Sequence, residues 1–300
     1  HTFDLLLPPE KYFAEHPEYY ALIDGKRTAK HLYSQPCLSN PDVLRIMIEG
    51  IRSWLRDNPE ARLVSVSQND SFVIGSYCTC PACRAVNEEE GAPSGSLIRF
   101  VNAVAEALEP EFPEVTFDTL AYQYSTQPPK LTHPRHNVAI RMCTGGCSSH
   151  PISACANNAG SADAIRGWSQ ICRQLYIWDY TTDFAQYLNP YPNFQTLQDN
   201  IRFFRDHNVC GVFEQGNYNE GLSGEFGELR AYLLANLLWN PEFDVESGTE
   251  SFLNAYYGGG APYVRQYLTF IRDKVRDVHF NLVISAAALW NDLISDEELT

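Results

Sequence analysis

The stretch LVSVSQND, residues 63–70, runs from apolar to polar and stops on two amides and a carboxylate: Gln68, Asn69 and Asp70. Two more apolar runs end in acids. LYIWDY carries Asp179 between Trp178 and Tyr180, and CGVFEQG carries Glu214 beside Gln215. Two others stop on Tyr122 and Tyr124, and on Arg141. Carboxyl groups working in pairs cleave glycosidic bonds, one protonating the leaving oxygen and the other serving as nucleophile or base. One of the pair must keep its proton near neutral pH, which burial or a neighbouring like charge arranges. Aromatic faces stack on the apolar face of a pyranose, while amides and acids bind its hydroxyls. Asp70, Asp179 and Glu214 are therefore the candidate catalytic carboxylates. Gln68, Asn69, Tyr122, Tyr124, Arg141, Trp178, Tyr180 and Gln215 are the candidate substrate-binding groups. Plainer readings compete: Asp70 as a turn former or helix cap, Glu214 as the partner of a buried arginine, Asp179 as a local acceptor from Thr181 and Thr182, and Trp178 and Tyr124 as core.

Regular elements must carry these ends to one side. Apolar spacing predicts a helix over SNPDVLRIMIEGIRSWLRDNP, with Leu44, Met47, Ile48, Ile51 and Leu55 on one face, Asn40 as its cap and Pro41 in its first turn. Strand and helix patterns then alternate. Strands are expected at 63–69, 115–124, 137–143, 174–180 and 208–216, and helices near 95–109, 161–171, 193–207 and 224–240. Such alternation implies parallel pairing with right-handed crossovers. Parallel sheets place chemistry at the carboxyl ends of their strands. The expected class is α/β. Five strands are three short of a (β/α)8 barrel of the TIM type, so they are expected to be strands four to eight, with the first three upstream of His1. An open doubly wound sheet is the rival, but no Gly-rich phosphate fingerprint supports it. Residues 1–240 are assigned to the barrel domain and 241–300 to a helical extension. The first forty residues, crowded with turn chemistry, read as a loop with little regular structure.

With 300 residues, 44% of them hydrophobic and 20% charged, the chain reads as globular and large enough for one big α/β domain or two small ones. A net charge of −15, with 22 scattered Lys and Arg, argues against nucleic acid and anionic membrane surfaces as partners. No apolar run is long enough to span a membrane. The chain opens on His1 with no signal segment, and reads as a piece of something longer or a processed form. Nine cysteines, an odd number, do not read as a disulfide framework. CTCPAC spaces Cys78, Cys80 and Cys83 as C-x-C-x2-C. Zinc takes four ligands, and no second C-x2-C follows. Cys143, Cys147 or a histidine could complete a set in space, but a thiol-rich loop or local disulfide is the favoured reading, and neither metal nor cofactor is expected. NEEEG at 87–91 reads as a solvated acidic loop.

Taken together, LLLPPEKYFAEHPEYYALIDGKR, CLSNPDV, VSVSQND, YCTCPACRAVNEEEGAPSGSLIRFVNAVAE, LYIWDYTTDFAQYL and NIRFFRDHNVCGVFEQGNY closely resemble the bacterial domain-of-unknown-function family 4838, over nearly the whole chain. That family includes glycoside hydrolase family 163, endo-β-N-acetylglucosaminidases acting on complex N-glycans. The resemblance implies a (β/α)8-type catalytic domain, an N-glycan oligosaccharide as substrate, and an extracellular, periplasmic or cell-surface location. It also implies an acidic pair: the Asp of Q-N-D, which is Asp70, and a Glu in R-x-C-x-x-E-C. The second motif falls on RMCTGGC, where Gly146 holds the place of the Glu. The expected activity is thus a glycoside hydrolase, with a catalytically weakened glycan-binding pseudoenzyme as the alternative.

Overall fold

The computed structural model describes residues 1–71, 73–218, 224–281 and 294–295. Two single-turn helices, α1 (Phe3–Leu6) and α2 (Pro9–Tyr12), precede an antiparallel ribbon of β1 (Leu22–Ile23) and β2 (Lys26–Arg27). The elements that follow are α3 (Pro41–Asp57), β3 (Leu63–Ser65), α4 (Pro81–Glu90), α5 (Ser94–Leu108), β4 (Thr116–Ala121), β5 (Val138–Cys143), α6 (Ala159–Ile171), β6 (Leu175–Tyr180), α7 (Leu197–Asp206), β7 (Val209–Gln215), α8 (Gly227–Trp239), α9 (Val245–Tyr257) and α10 (Ala261–Lys274).

The expected α/β class is what folds. Strands β3 to β7 form one five-stranded sheet in chain order. β4 pairs parallel with β3 (Val64 opposite Phe117) and with β5 (Thr119 opposite Ile140). The helix predicted from Asn40 starts where its chemistry demands. The Asn40 side chain accepts from the backbone N–H groups of Asp42 and Val43, two of the donors that a helix start leaves unpaired. Its buried seam is Val43, Met47, Ile51 and Leu55, turned slightly from the expected face that included Leu44 and Ile48.

Three expectations need correction. β3 ends at Ser65, four residues before the predicted limit. Val66 still donates to Asp118 O, but the Ser67 carbonyl turns to the N–H groups of Thr2 and Phe3, so QND lies in a loop beyond the strand. The acidic run at 87–91 is not a solvated loop. It closes α4, and Glu90 at its end is buried. The first forty residues hold short helices and the ribbon rather than loop alone. Residues 241–281 hold α9 and α10, and the stretches 282–293 and 296–298, also read as helical, lie outside the described residues.

Two compact units emerge, residues 1–143 with 164–176, and residues 144–163 with 177–300. The first buries Phe3, Met47, Ile51, Leu97, Val101, Phe117, Ile140 and Trp168. The second buries Tyr191, Phe204, Leu229, Leu233, Leu237, Leu253 and Ile271. No helix among the described residues is long and apolar enough to cross a membrane.

Candidate functional site

In the second unit, β6 and β7 each present one acid near the carboxyl end. Strand alternation puts Asp179 on the face of buried Ile177, and Glu214 on the face of Val212. The Thr144 hydroxyl donates to Asp179 Oδ1. Glu214 Oε2 is buried and has no hydrogen-bond partner among the described residues. Burial pushes the Glu214 carboxyl well above the usual carboxylate range, and the charge of Asp179 pushes the same way. Burial also raises Asp179, against the hydrogen bonds from Thr144 and the Tyr180 backbone. Both acids therefore hold their protons more tightly than exposed carboxylates do, because burial penalises the charged form and, at Glu214, a like charge adds to it.

Aromatic groups gather on the same strand ends. The Trp178 indole N–H donates to Gln215 Oε1 at 2.7 Å, and Phe213 meets the Trp178 ring edge to face at 5.0 Å. Tyr180, at the end of β6, meets Phe184, which meets Tyr187; beyond β7, Tyr218 stacks on Phe184 with centroids 6.3 Å apart. Tyr218 is 77% exposed. Thr144, Asp179, Tyr180, Tyr191 and Asn193 help line a small cleft of about 30 Å3 that opens to solvent. A larger space of about 140 Å3 is lined in part by residues of α8, α9 and α10, and neither Asp179 nor Glu214 lines it.

Behind Asn193 stands Arg230, buried, paired with Glu225 at 2.8 Å and donating to Asn193 Oδ1 at 3.1 Å. The sequence reading passed over Thr144, Tyr191, Asn193 and Arg230. One signal was legible: a lone arginine inside the leucine-rich GELRAYLLANLL. A buried charge in such a helix needs a built partner.

In the first unit, the three residues of QND separate. Asp70 is half-buried and accepts from Ser71 N at 2.9 Å and from the Tyr122 hydroxyl at 3.0 Å. Gln68 gives its amide to Tyr122 O and takes the Ser125 hydroxyl. Asn69 is held on both sides, by Asp4 through its side chain and by Gln35 through its backbone. Gln68 and Asn69 thus spend their polar atoms on the protein, while Asp70 and Tyr122, both half-buried, pair with each other. Tyr124, expected among the substrate groups, is instead 6% exposed and packs on Tyr77, so it is core. Arg141 is engaged by Asp118 at 3.1 Å.

A family model described as "Domain of unknown function (DUF4838)" matches residues 1–269. The chain belongs to this family. A search of curated proteins found no match. The position of this DUF4838 member where resemblance implies a second acid has a structural constraint of its own. Gly146 has φ +109°, in the region that favours glycine, and a Cβ there would lie 2.4 Å from Asn158 Oδ1. That oxygen accepts from Cys147 N, and the Asn158 amide donates to Cys147 O and His150 O. The bare backbone at 146 lets Asn158 close on the loop, and no side chain fits between them.

Proposed function

We propose that the chain is a glycoside hydrolase acting on N-acetylglucosamine-containing glycans, of the endo-β-N-acetylglucosaminidase type, with Glu214 as the general acid. The observation that carries this reading is the buried Glu214 oxygen, unpartnered among the described residues, with a second raised carboxyl acting on it. A leaving glycosidic oxygen needs a proton donor, and a carboxyl raised by burial and a like charge is suited to that part. Asp179, steadied by Thr144, is the companion carboxylate. A 2-acetamido sugar can supply its own carbonyl as nucleophile, an exception to the two-carboxylate scheme. Asp179 would then orient the amide. Tyr180, Phe184, Tyr187 and Tyr218 offer rings for stacking against sugar faces. In the first unit, and taken by itself, Asp70 with its Tyr122 hydroxyl donor is a separate candidate carboxylate.

The sheet suits this role. Its strand order follows chain order, as the wall of a (β/α)8 barrel does, whereas a doubly wound sheet reverses order at its binding crevice. We read the five strands as a segment of such a barrel and place the protein outside the cytoplasm, where N-glycans are met.

Incubation with a complex N-glycan and with chitobiose oligomers, followed by mass spectrometry, tests the activity. Cleavage within the chitobiose core is expected, and Glu214→Gln is expected to slow it by ~10²–10⁴, the usual scale for a lost general acid. The geometry at Gly146, which admits no acid, favours a second reading as a glycan-binding pseudoenzyme. Binding without released product supports that reading, and neither binding nor release removes both.

A further inference from the structure

Eight side chains outside the carboxylate sites fall into two sets of four, each wholly within one unit. We propose that the chain binds two structural zinc ions, one on Cys37, Cys78, Cys80 and Cys83, the other on Cys147, His150, Cys155 and His279.

The first set gathers thiols that the sequence separates. Cys37 comes from the loop before α3, Cys78 from the loop before α4, Cys80 caps that helix, and Cys83 lies in its first turn. All four are buried, and their sulfurs lie within 4.8 Å of one another. Cys37 Sγ is 3.7 Å from Cys80 Sγ and 3.8 Å from Cys83 Sγ. Four sulfurs at tetrahedral angles, each about 2.3 Å from a zinc ion, stand about 3.8 Å apart. The two distances from Cys37 match that spacing, and the remaining sulfurs lie close enough to complete the set. Leu22 N donates to Cys78 Sγ at 3.3 Å, and the Arg27 guanidinium lies 3.6 Å from the same sulfur. Donors aimed at sulfur stabilise a thiolate, the form that binds metal. Soft all-thiolate donors in this geometry select zinc or iron–sulfur chemistry, and four protein ligands leave no position open for substrate.

A different observation carries the second set. His150 Nδ1 is 3.2 Å from Cys147 Sγ, and His279 Nδ1 is 3.3 Å from Cys155 Sγ. The other nitrogen of His150 lies 2.9 Å from the Arg276 carbonyl. That contact fixes the imidazole as a donor through Nε2 and turns the lone pair of Nδ1 toward the sulfurs. A metal-bound histidine is oriented in this way by a partner behind it. All four ligand atoms again lie within 4.8 Å. Cys2His2 is an established tetrahedral zinc set.

Both ions would secure loops whose side chains help hold the segments bearing Asp70 and Asp179. Gln35, two residues before Cys37, holds both backbone atoms of Asn69, next to Asp70. Cys147 lies three residues after Thr144, whose hydroxyl holds Asp179. These are positioning roles, independent of the proposed hydrolase activity.

Elemental analysis of the chain purified without added metal or chelator tests the proposal. Two zinc ions per chain are expected. Cys78→Ser with Cys83→Ser should leave one, and Cys155→Ser with His150→Ala should leave the other, with circular dichroism confirming each fold. Should a variant not fold, the unaltered chain decides: stripped with chelator and titrated with zinc, it should take up two ions and protect its thiols from alkylation at both sets. Cobalt substitution should give charge-transfer absorption stronger at the four-thiolate site. Folded protein that takes up no zinc, iron in place of zinc, or peptide mapping that finds disulfides within either set overturns the site concerned. Glycan turnover does not enter these readouts, so a failed zinc site and a failed hydrolase reading are told apart.

Discussion

Glu214 sits where the fold resists its ionisation, with burial acting first and the charge of Asp179 second. The consequence for stability has a definite sign. The folded protein holds this proton above the ordinary glutamate value of about 4.3. Its contribution is full below that value and is lost as pH rises through the raised folded value. Glu214→Gln imitates the protonated acid. It should therefore be more stable than the unaltered protein toward alkaline pH and nearly equal to it in acid, which thermal melts across that range will show. If Glu214 also donates the catalytic proton, kcat/KM of the unaltered enzyme should fall over the same rise in pH. Gly146 yields a second prediction at this scale. A side chain there meets both a left-handed backbone and Asn158, so Gly146→Ala should cost ~1–3 kcal/mol, the range for such strain. Gly146→Glu should gain no activity, because the loop must open to admit it. QND shows what could be read beforehand and what could not. Three polar residues after an apolar run marked a place where the chain leaves its sheet. Only the fold shows that Asn69 faces Asp4 and Gln35, whereas Asp70 keeps a freer carboxyl with Tyr122.

At the scale of elements, α4 is the instructive case. Its acidic run suggested solvent, and Glu88 and Glu89 agree, but Glu90 turns inward. Its side chain is fully buried, with Arg99 at 2.6 Å. It also accepts from Leu131 N, Thr132 N and the Thr132 hydroxyl. Burial opposes its ionisation, yet these donors prevail and lower it to about 2. The stability it supplies is present above the ordinary value of about 4.3 and is lost as pH falls toward 2. Glu90→Ala strands three donors and part of a guanidinium, so unfolding in denaturant should show a loss of ~3–5 kcal/mol. Composition could not separate Glu90 from its neighbours, because the difference lies in which helix face meets the 131–132 loop. Where local chemistry was decisive, as at Asn40 and Pro41, the start of α3 was readable in advance.

Across the whole molecule, the order of the sheet was legible because each strand and helix announces itself by period, and crossovers keep neighbours in sequence next to one another. The cysteines were not. C-x-C-x2-C supplied three ligands, and the fourth, Cys37, stands 41 residues before Cys78, a distance that only the fold closes. The second set hid further, since His279 lies 124 residues from Cys155. These distances set the last prediction. Metal that binds the folded chain and not the unfolded one stabilises it by mass action, about 4 kcal/mol when free zinc stands at 1,000 times the dissociation constant. At roughly 2–4 °C per kcal/mol for units of this size, each site should be worth ~8–16 °C in Tm. Chelator should lower the melting of the unaltered chain by that order, and zinc, not magnesium, should restore it. The two units hold one site each. Removing the four-thiolate site by substitution should therefore abolish the chelator effect on the first unit and leave that on the second, which hydrogen exchange resolved along the chain can follow at residues 68–71 and 144–150. A chelator that changes neither Tm nor exchange would mean that packing alone holds these loops.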